Sequence, residues 1–232
     1  MWLLERDDDG NIALAGPFEL GTIPPYAILS HTWGKEECTF QDLRHGTGRD
    51  KVGFDKIRFC VQQAEKMGLK YSWVDTCCID KTNAVEHTTA INSMFLWYQN
   101  SERCFAYLSD VKKINDNAAF RASRWFKRGW TLQELIAPRS VEFFTMEWSR
   151  IGSKREKEEI IRSITGIPLA ALRGDSLVRF GILERVAWMQ GRQTLRPEDQ
   201  AYSLFGILGV TLPVIYGELK EAAMDRLIEA AR

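Results

Sequence analysis

No stretch of this 232-residue sequence stays apolar for the roughly 20 residues that a membrane span needs. Excess charge is missing too, because 31 Lys and Arg balance 31 Asp and Glu. A chain without net charge gives no electrostatic reason to expect nucleic acid or an anionic membrane as partner. Cysteine is sparse: there are five, Cys77 and Cys78 are adjacent, and no CxxC pair occurs. That pattern favours neither a disulfide framework nor a structural zinc site, and no metal is expected. The absence of a GxxxxGK[ST] run argues against a P-loop NTPase. The first residues, MWLLERDDDG, turn acidic after Leu4 and do not read as a secretory signal. There is no internal repeat and no low-complexity tract. Together these absences point to a reducing, cytoplasmic compartment.

What is present suits a packed domain. Apolar residues make up 45% of the chain and eight residues are Trp. Tyr26–Ser30 is a short apolar run bounded by Pro24-Pro25 and His31, which predicts a buried strand. Phe54 to Gly68 carries Ile57, Cys60, Val61, Ala64 and Met67 at helical spacing. A strand over residues 70–75, a helix with Ile91, Met94, Phe95 and Tyr98 on one face, and a strand over 103–109 follow. Met1–Glu5 predicts a further short strand before an acidic turn at Asp7–Gly10. Residues 112–122 read as a loop, and Ser123 as the cap of one helix running to Ile136. A fourth strand is predicted at 140–145 and another helix at Lys154–Thr165, whose run from Lys154 to Glu159 reads as a solvated face.

This alternation predicts an α/β fold: an open, mainly parallel sheet over residues 1–165 with helices on both faces. Residues 166–232, with helical patterns at 183–189, 201–208 and 219–231, read as a helical subdomain packed on it. Open α/β sheets bind ligands outside the carboxyl ends of their strands. Three polar clusters fall there: Ser30, His31 and Trp33; Asp75 with Asp80 and Lys81; and Ser109 with Asp110.

Three blocks, Tyr26–Gly34 (YAILSHTWG), Trp73–Asp80 (WVDTCCID) and Arg128–Glu134 (RGWTLQE), resemble the fungal heterokaryon-incompatibility (HET) domain. They are similar most of all to the HET domains of vegetative-incompatibility proteins. The likeness runs on through Ala90–Met94 and Ala201-Tyr202 to Tyr216-Gly217-Glu218 and covers almost the whole chain. One departure is Thr89, where similar sequences carry Glu or Gln. The resemblance implies a cell-death effector that self-associates on activation as a homo-oligomer. In longer chains it implies NACHT and WD40 modules alongside. HET domains are in turn similar to TIR domains, and the segment Trp125–Leu135 resembles the TIR helix whose glutamate cleaves the nicotinamide–ribose bond of NAD. The implied activity is that of an NAD glycohydrolase with NAD as substrate and no cofactor, with Glu134 as the catalytic residue.

Trp130 and Glu134 lie four apart and would share a helix face. A carboxylate beside a breaking glycosidic bond stabilises the oxocarbenium-like state. Trp33 or Trp130 would stack on a base, and Asp75 and Asp110 would accept from ribose or amide groups. Each residue also has a plainer reading. Glu134 reads equally as a solvated helix carboxylate, Trp130 as core packing, His31 as a structural hydrogen-bonded histidine, Asp75 as a turn cap and Arg128 as an ion-pair partner. Two functional alternatives stand beside the NADase: a non-enzymatic self-association module, and a thiol hydrolase using Cys77 with His31, which no local nucleophile signature supports.

Overall fold

A computed structural model describes residues 1–232. Seven strands form one sheet: β1 (Leu3–Arg6), β2 (Ile12–Ala15), β3 (Tyr26–His31), β4 (Tyr71–Trp73), β5 (Arg103–Tyr107), β6 (Val141–Phe144) and β7 (Arg150–Ser153). The helices are α1 (Phe40–Arg44), α2 (Phe54–Lys66), α3 (Ala84–Asn100), α4 (Asn117–Ala122), α5 (Thr131–Ile136), α6 (Glu158–Thr165), α7 (Leu169–Leu172), α8 (Ile182–Ala187), α9 (Asp199–Tyr202), α10 (Phe205–Leu208) and α11 (Lys220–Ala230). Short 3-10 turns lie at Arg124–Lys127 and Leu177–Arg179.

The strand order is β2-β1-β4-β3-β5-β6-β7. The four inner strands β4, β3, β5 and β6 pair in parallel. Their flanks do not: β1 runs antiparallel to β4, β2 to β1, and β7 to β6. The sheet is therefore mixed rather than mainly parallel. Strands β2 and β7 were not foreseen, because four residues carry too little alternation to stand out. Gly10, at φ +79°, closes the β1–β2 hairpin in a backbone conformation that favours glycine.

All six residues of β3 are buried, as a continuous apolar run in a central parallel strand requires. The crossovers put α2 on one face of the sheet and α3 and α5 on the other. Phe59 of α2 packs edge-on to Phe105 and Phe144. On the opposite face Trp97 and Tyr98 of α3 meet Trp73, and Trp125 meets Phe143. Among the parallel strands, chain order reads second, first, third, fourth. The switch point lies between β3 and β5, where doubly wound sheets open a crevice.

Three local expectations need correction. Residues 112–122 hold α4, capped by the Asp116 side chain on the Ala119 amide. The helix expected from Ser123 to Ile136 is two pieces. Ser123 caps the 3-10 turn, and Arg128 is extended before α5 begins. The break is tertiary: Arg128 bridges to Gln193, and a Cβ at Gly129 would sit 2.4 Å from Thr194 Cγ2. Finally, Lys154 is not on a solvated face, since α6 starts only at Glu158. Lys154 is buried, and its Nζ donates to the carbonyls of Leu135 (3.0 Å) and Pro138 (2.7 Å), meeting the carbonyls that end α5.

From Gly166 on, the chain holds helices, turns and one bridge pair. Its α10 packs on α3 where Gly206 meets Phe95; a Cβ at Gly206 would lie 2.0 Å from Phe95 Cβ. Gly206→Ala is expected to lower stability by at least about 2 kcal/mol, as overpacking of a closed contact does. Chemical denaturation checks this, and an unchanged midpoint would refute it.

Candidate functional site

The carboxyl end of β3 places Ser30 and His31 on opposite faces of the sheet. Ser30, fully buried, faces α5. Its Oγ accepts a hydrogen bond from the Trp125 indole Nε1 at 2.8 Å and bonds Glu134 Oε2. An indole N–H only donates, so the single hydroxyl proton of Ser30 goes to the Glu134 carboxyl. Glu134 is 4% exposed. Burial pushes its carboxyl up to about 7, with the nearby Asp75 charge adding to the rise and Arg128 and the Ser30 bond opposing it. This carboxyl therefore changes charge near neutrality.

His31 faces α2 instead. Its ring lies between Asp75 (Nδ1 to Oδ1, 3.7 Å) and Glu37 (Nε2 to Oε1, 3.9 Å), and burial holds it neutral, well below its ordinary value. It does not line the pocket that holds Glu134, and it reaches that site through its ring beside Asp75 and through its carbonyl, which accepts from Arg128 Nη1 at 3.1 Å.

Above Glu134 opens a pocket of about 820 Å³, within the range of small-molecule sites. Trp33, Asp75, Lys81, Arg128, Trp130 and Glu134 all line it. Trp33 is half exposed and donates from Nε1 to Asp75 Oδ2 at 2.7 Å. Lys81 Nζ sits 3.8 Å from its ring centroid, so a cation already covers one indole face. Trp130 donates from Nε1 to Asp199 Oδ2 at 3.2 Å and has no ring stacked on it. Of the two tryptophans, Trp130 has the freer face.

Asp80 and Asp110 lie outside this pocket. The Asp80 carboxylate takes Thr82 and Gln41 donors and borders a hollow of about 200 Å³. Asp110 accepts from Ser123 Oγ and the Arg124 amide, both at 2.7 Å, and so anchors the 3-10 turn. Short acidic side chains after a strand satisfy nearby amides first. Cys77 is buried, its thiol is held well above its ordinary value, and its Sγ contacts the Val74 carbonyl at 3.8 Å. It does not line the pocket that holds Glu134, and burial disfavours the thiolate that a nucleophile needs. Thr89 is also away from the pocket, exposed on α3 with its hydroxyl on the Val85 carbonyl. No group of three or more His, Cys, Asp and Glu side chains has the arrangement of a metal site.

Sequence reasoning missed one whole wall. His87 from α3, with Gln193, Arg196, Asp199 and Tyr216 from the last part of the chain, closes the pocket. Asp199 links them, accepting from Tyr216 Oη at 3.1 Å as well as from Trp130. Arg196 lies 3.9 Å over the Tyr216 ring, and His87 stacks on it at 6.2 Å. The pairing of Arg128 with Gln193 and the Trp130–Asp199 hydrogen bond hold that segment over the site.

Comparison with known proteins identifies the family of the chain. Residues 26–122 match the family described as "Heterokaryon incompatibility protein (HET)". The chain is 54% identical over 239 aligned residues to the vegetative incompatibility protein HET-E-1 of Podospora anserina. It belongs to the HET family. The alignment takes in 99% of this chain and 18% of the Podospora protein, so this HET domain spans less than a fifth of that relative. No solved structure matches it. The family match includes Trp33, Asp75 and Lys81; the Glu134 half of the HET-domain pocket lies beyond residue 122.

Glu134 binds its proton more tightly folded than unfolded, with about 7 against an ordinary 4.5. Between those values the folded state holds the extra proton, so stability falls as pH rises through about 4.5 to 7 and then levels. The loss attributable to this group is about 3 kcal/mol. Denaturant titrations across pH should show that slope flattened in Glu134→Gln. In Ser30→Ala, which removes a donor to the carboxylate, the slope should extend to higher pH. Identical pH profiles for wild type and Glu134→Gln would refute the assignment.

Proposed function

We propose that this HET domain is a cell-death effector of a fungal incompatibility system that cleaves NAD to nicotinamide and ADP-ribose when self-associated. One observation carries the reading: a buried carboxyl that titrates near neutrality opens into a ligand-sized pocket at the carboxyl ends of the parallel strands. The bond broken joins ribose C1′ to the nicotinamide nitrogen. Its electron pair leaves with nicotinamide, C1′ gains oxocarbenium character, and the ionised Glu134 carboxylate stabilises that charge. Water then adds to C1′ and releases a proton, giving ADP-ribose. Trp130 offers a face for the nicotinamide or adenine ring. The order of the parallel strands and the placement of Glu134 on α5 support a TIR-like descent of the domain. In the longer relatives, NACHT and WD40 modules would bring copies together.

The carboxylate works ionised, so nicotinamide release should increase as pH rises through about 7. Glu134→Gln, with its fold verified by circular dichroism, should lower release by at least about a hundredfold, the scale of one lost transition-state charge contact. NAD consumption by Glu134→Gln at the wild-type rate would refute the enzymology.

A second reading, death signalling by self-association alone, has its own observation. Val178 (82% exposed), Leu183 (72%) and Leu195 (97%) present apolar side chains from the helical part of the chain. Under it, Val178→Glu with Leu183→Glu should abolish concentration-dependent association in sedimentation experiments and abolish toxicity, while Glu134→Gln stays toxic. Loss of toxicity in Glu134→Gln would decide for the enzyme.

A further inference from the structure

Lys81, Arg124, Lys127, Arg128 and Arg196 line the pocket from three separate segments, against the three carboxyls of Asp75, Glu134 and Asp199. In a chain of zero net charge this is a local surplus of positive charge. The carboxyls are already engaged by protein donors: Asp75 by Trp33, Asp199 by Trp130 and Tyr216, Glu134 by Ser30. The cations are not matched in the same way. Arg124 alone among them meets a carboxylate, that of Asp110 at 3.7 Å. Lys81 and Arg128 each give one bond to a main-chain carbonyl, of Asp75 and His31. Lys127 and Arg196 have no acceptor, and Arg196 is held at the rim by the Tyr216 face beneath its guanidinium. Cations fixed along a cleft with low-dielectric walls concentrate their field and draw in anions.

We infer that this rim is a phosphate site for the diphosphate of a nucleotide, with Lys127 and Arg196 as its principal donors. The position of the sugar, toward Glu134, rests on the NAD-cleavage reading; the anion site itself rests on the cations. A neutral nucleoside would leave the rim uncompensated, whereas a diphosphate offers several acceptors to guanidinium and ammonium donors at once.

The test is calorimetric titration of the 232-residue chain with ADP-ribose, adenosine and inorganic diphosphate, at low and high NaCl. ADP-ribose should bind, with an affinity that falls as salt rises, and diphosphate should compete with it; adenosine should bind far more weakly. Lys127→Ala and Arg196→Ala should each weaken ADP-ribose about tenfold or more, the scale of one charged hydrogen bond. Both side chains lie at the pocket rim without a carboxylate partner, so their removal leaves no buried charge behind. Lys66→Ala, on the exposed end of α2, should change nothing. Adenosine binding as tightly as ADP-ribose, or ADP-ribose affinity indifferent to both substitutions, would overturn the site. The readout is binding, which separates the two claims. ADP-ribose held by the rim in a chain that never releases nicotinamide keeps the phosphate site and removes the enzymology. Nicotinamide release from NAD with KM unchanged in both variants does the reverse.

Discussion

The hydrogen bond between Ser30 and Glu134 joins the central strand of the sheet to the short helix that carries the acid. A carboxyl taken out of water is costly to ionise and is tolerated when donors meet it. Here the Trp125 indole fixes the direction of the Ser30 proton, and Arg128 supplies nearby positive charge. The outcome is a compromise in which neither form of the carboxyl is strongly preferred at neutral pH. Such a group can exchange charge with a ligand at little energetic cost, which a solvated surface glutamate cannot do in the same way.

A six-residue helix is not stable by itself, so α5 must be held from outside. Two buried cations do this. Lys154 satisfies the carbonyls at its C-terminal end, and burial lowers its ammonium to about 8. Arg192 donates from Nη1 to the Arg128 carbonyl (2.9 Å) and Thr131 Oγ1 (3.0 Å) at the N-terminal end. Both come from later in the chain, so the catalytic geometry proposed for Glu134 depends on residues far from it in sequence. The same region, through Gln193, fixes the kink at Arg128 and Gly129 and sets the cationic rim beside the carboxyl. Fold stability and site architecture are thus carried by one set of contacts, and substitutions at Lys154 or Arg192 would disturb both.

The pocket has two chemically different ends. At its floor, a carboxyl is held by hydrogen bonds among aromatic side chains. At its rim, Lys127 and Arg196 stand without a carboxylate partner, and the Tyr216–Asp199–Trp130 chain of hydrogen bonds ties the two sides together. That asymmetry suits a ligand with a cationic or neutral ring at one end and phosphates at the other.

The sequence by itself determined the apolar β3 and β5 strands, the α2 and α3 helices and the placement of polar residues just past strand ends, because these follow from periodicity and strand termination over short stretches. It also carried the family, in blocks spanning Tyr26–Gly34, Trp73–Asp80 and Arg128–Glu134. Short edge strands such as β7 left no periodic trace, and the break at Arg128 was invisible because Gly129 is pressed against Thr194, 65 positions downstream. Only the tertiary structure decided that Ser30 and His31 serve opposite faces, that Asp110 caps a turn rather than a ligand, that Lys154 is buried, and that Arg196, Asp199 and Tyr216 close the site. Those outcomes depend on contacts between residues far apart in the chain, and local residue patterns hold no information about which distant side chain will arrive to satisfy a buried donor or charge.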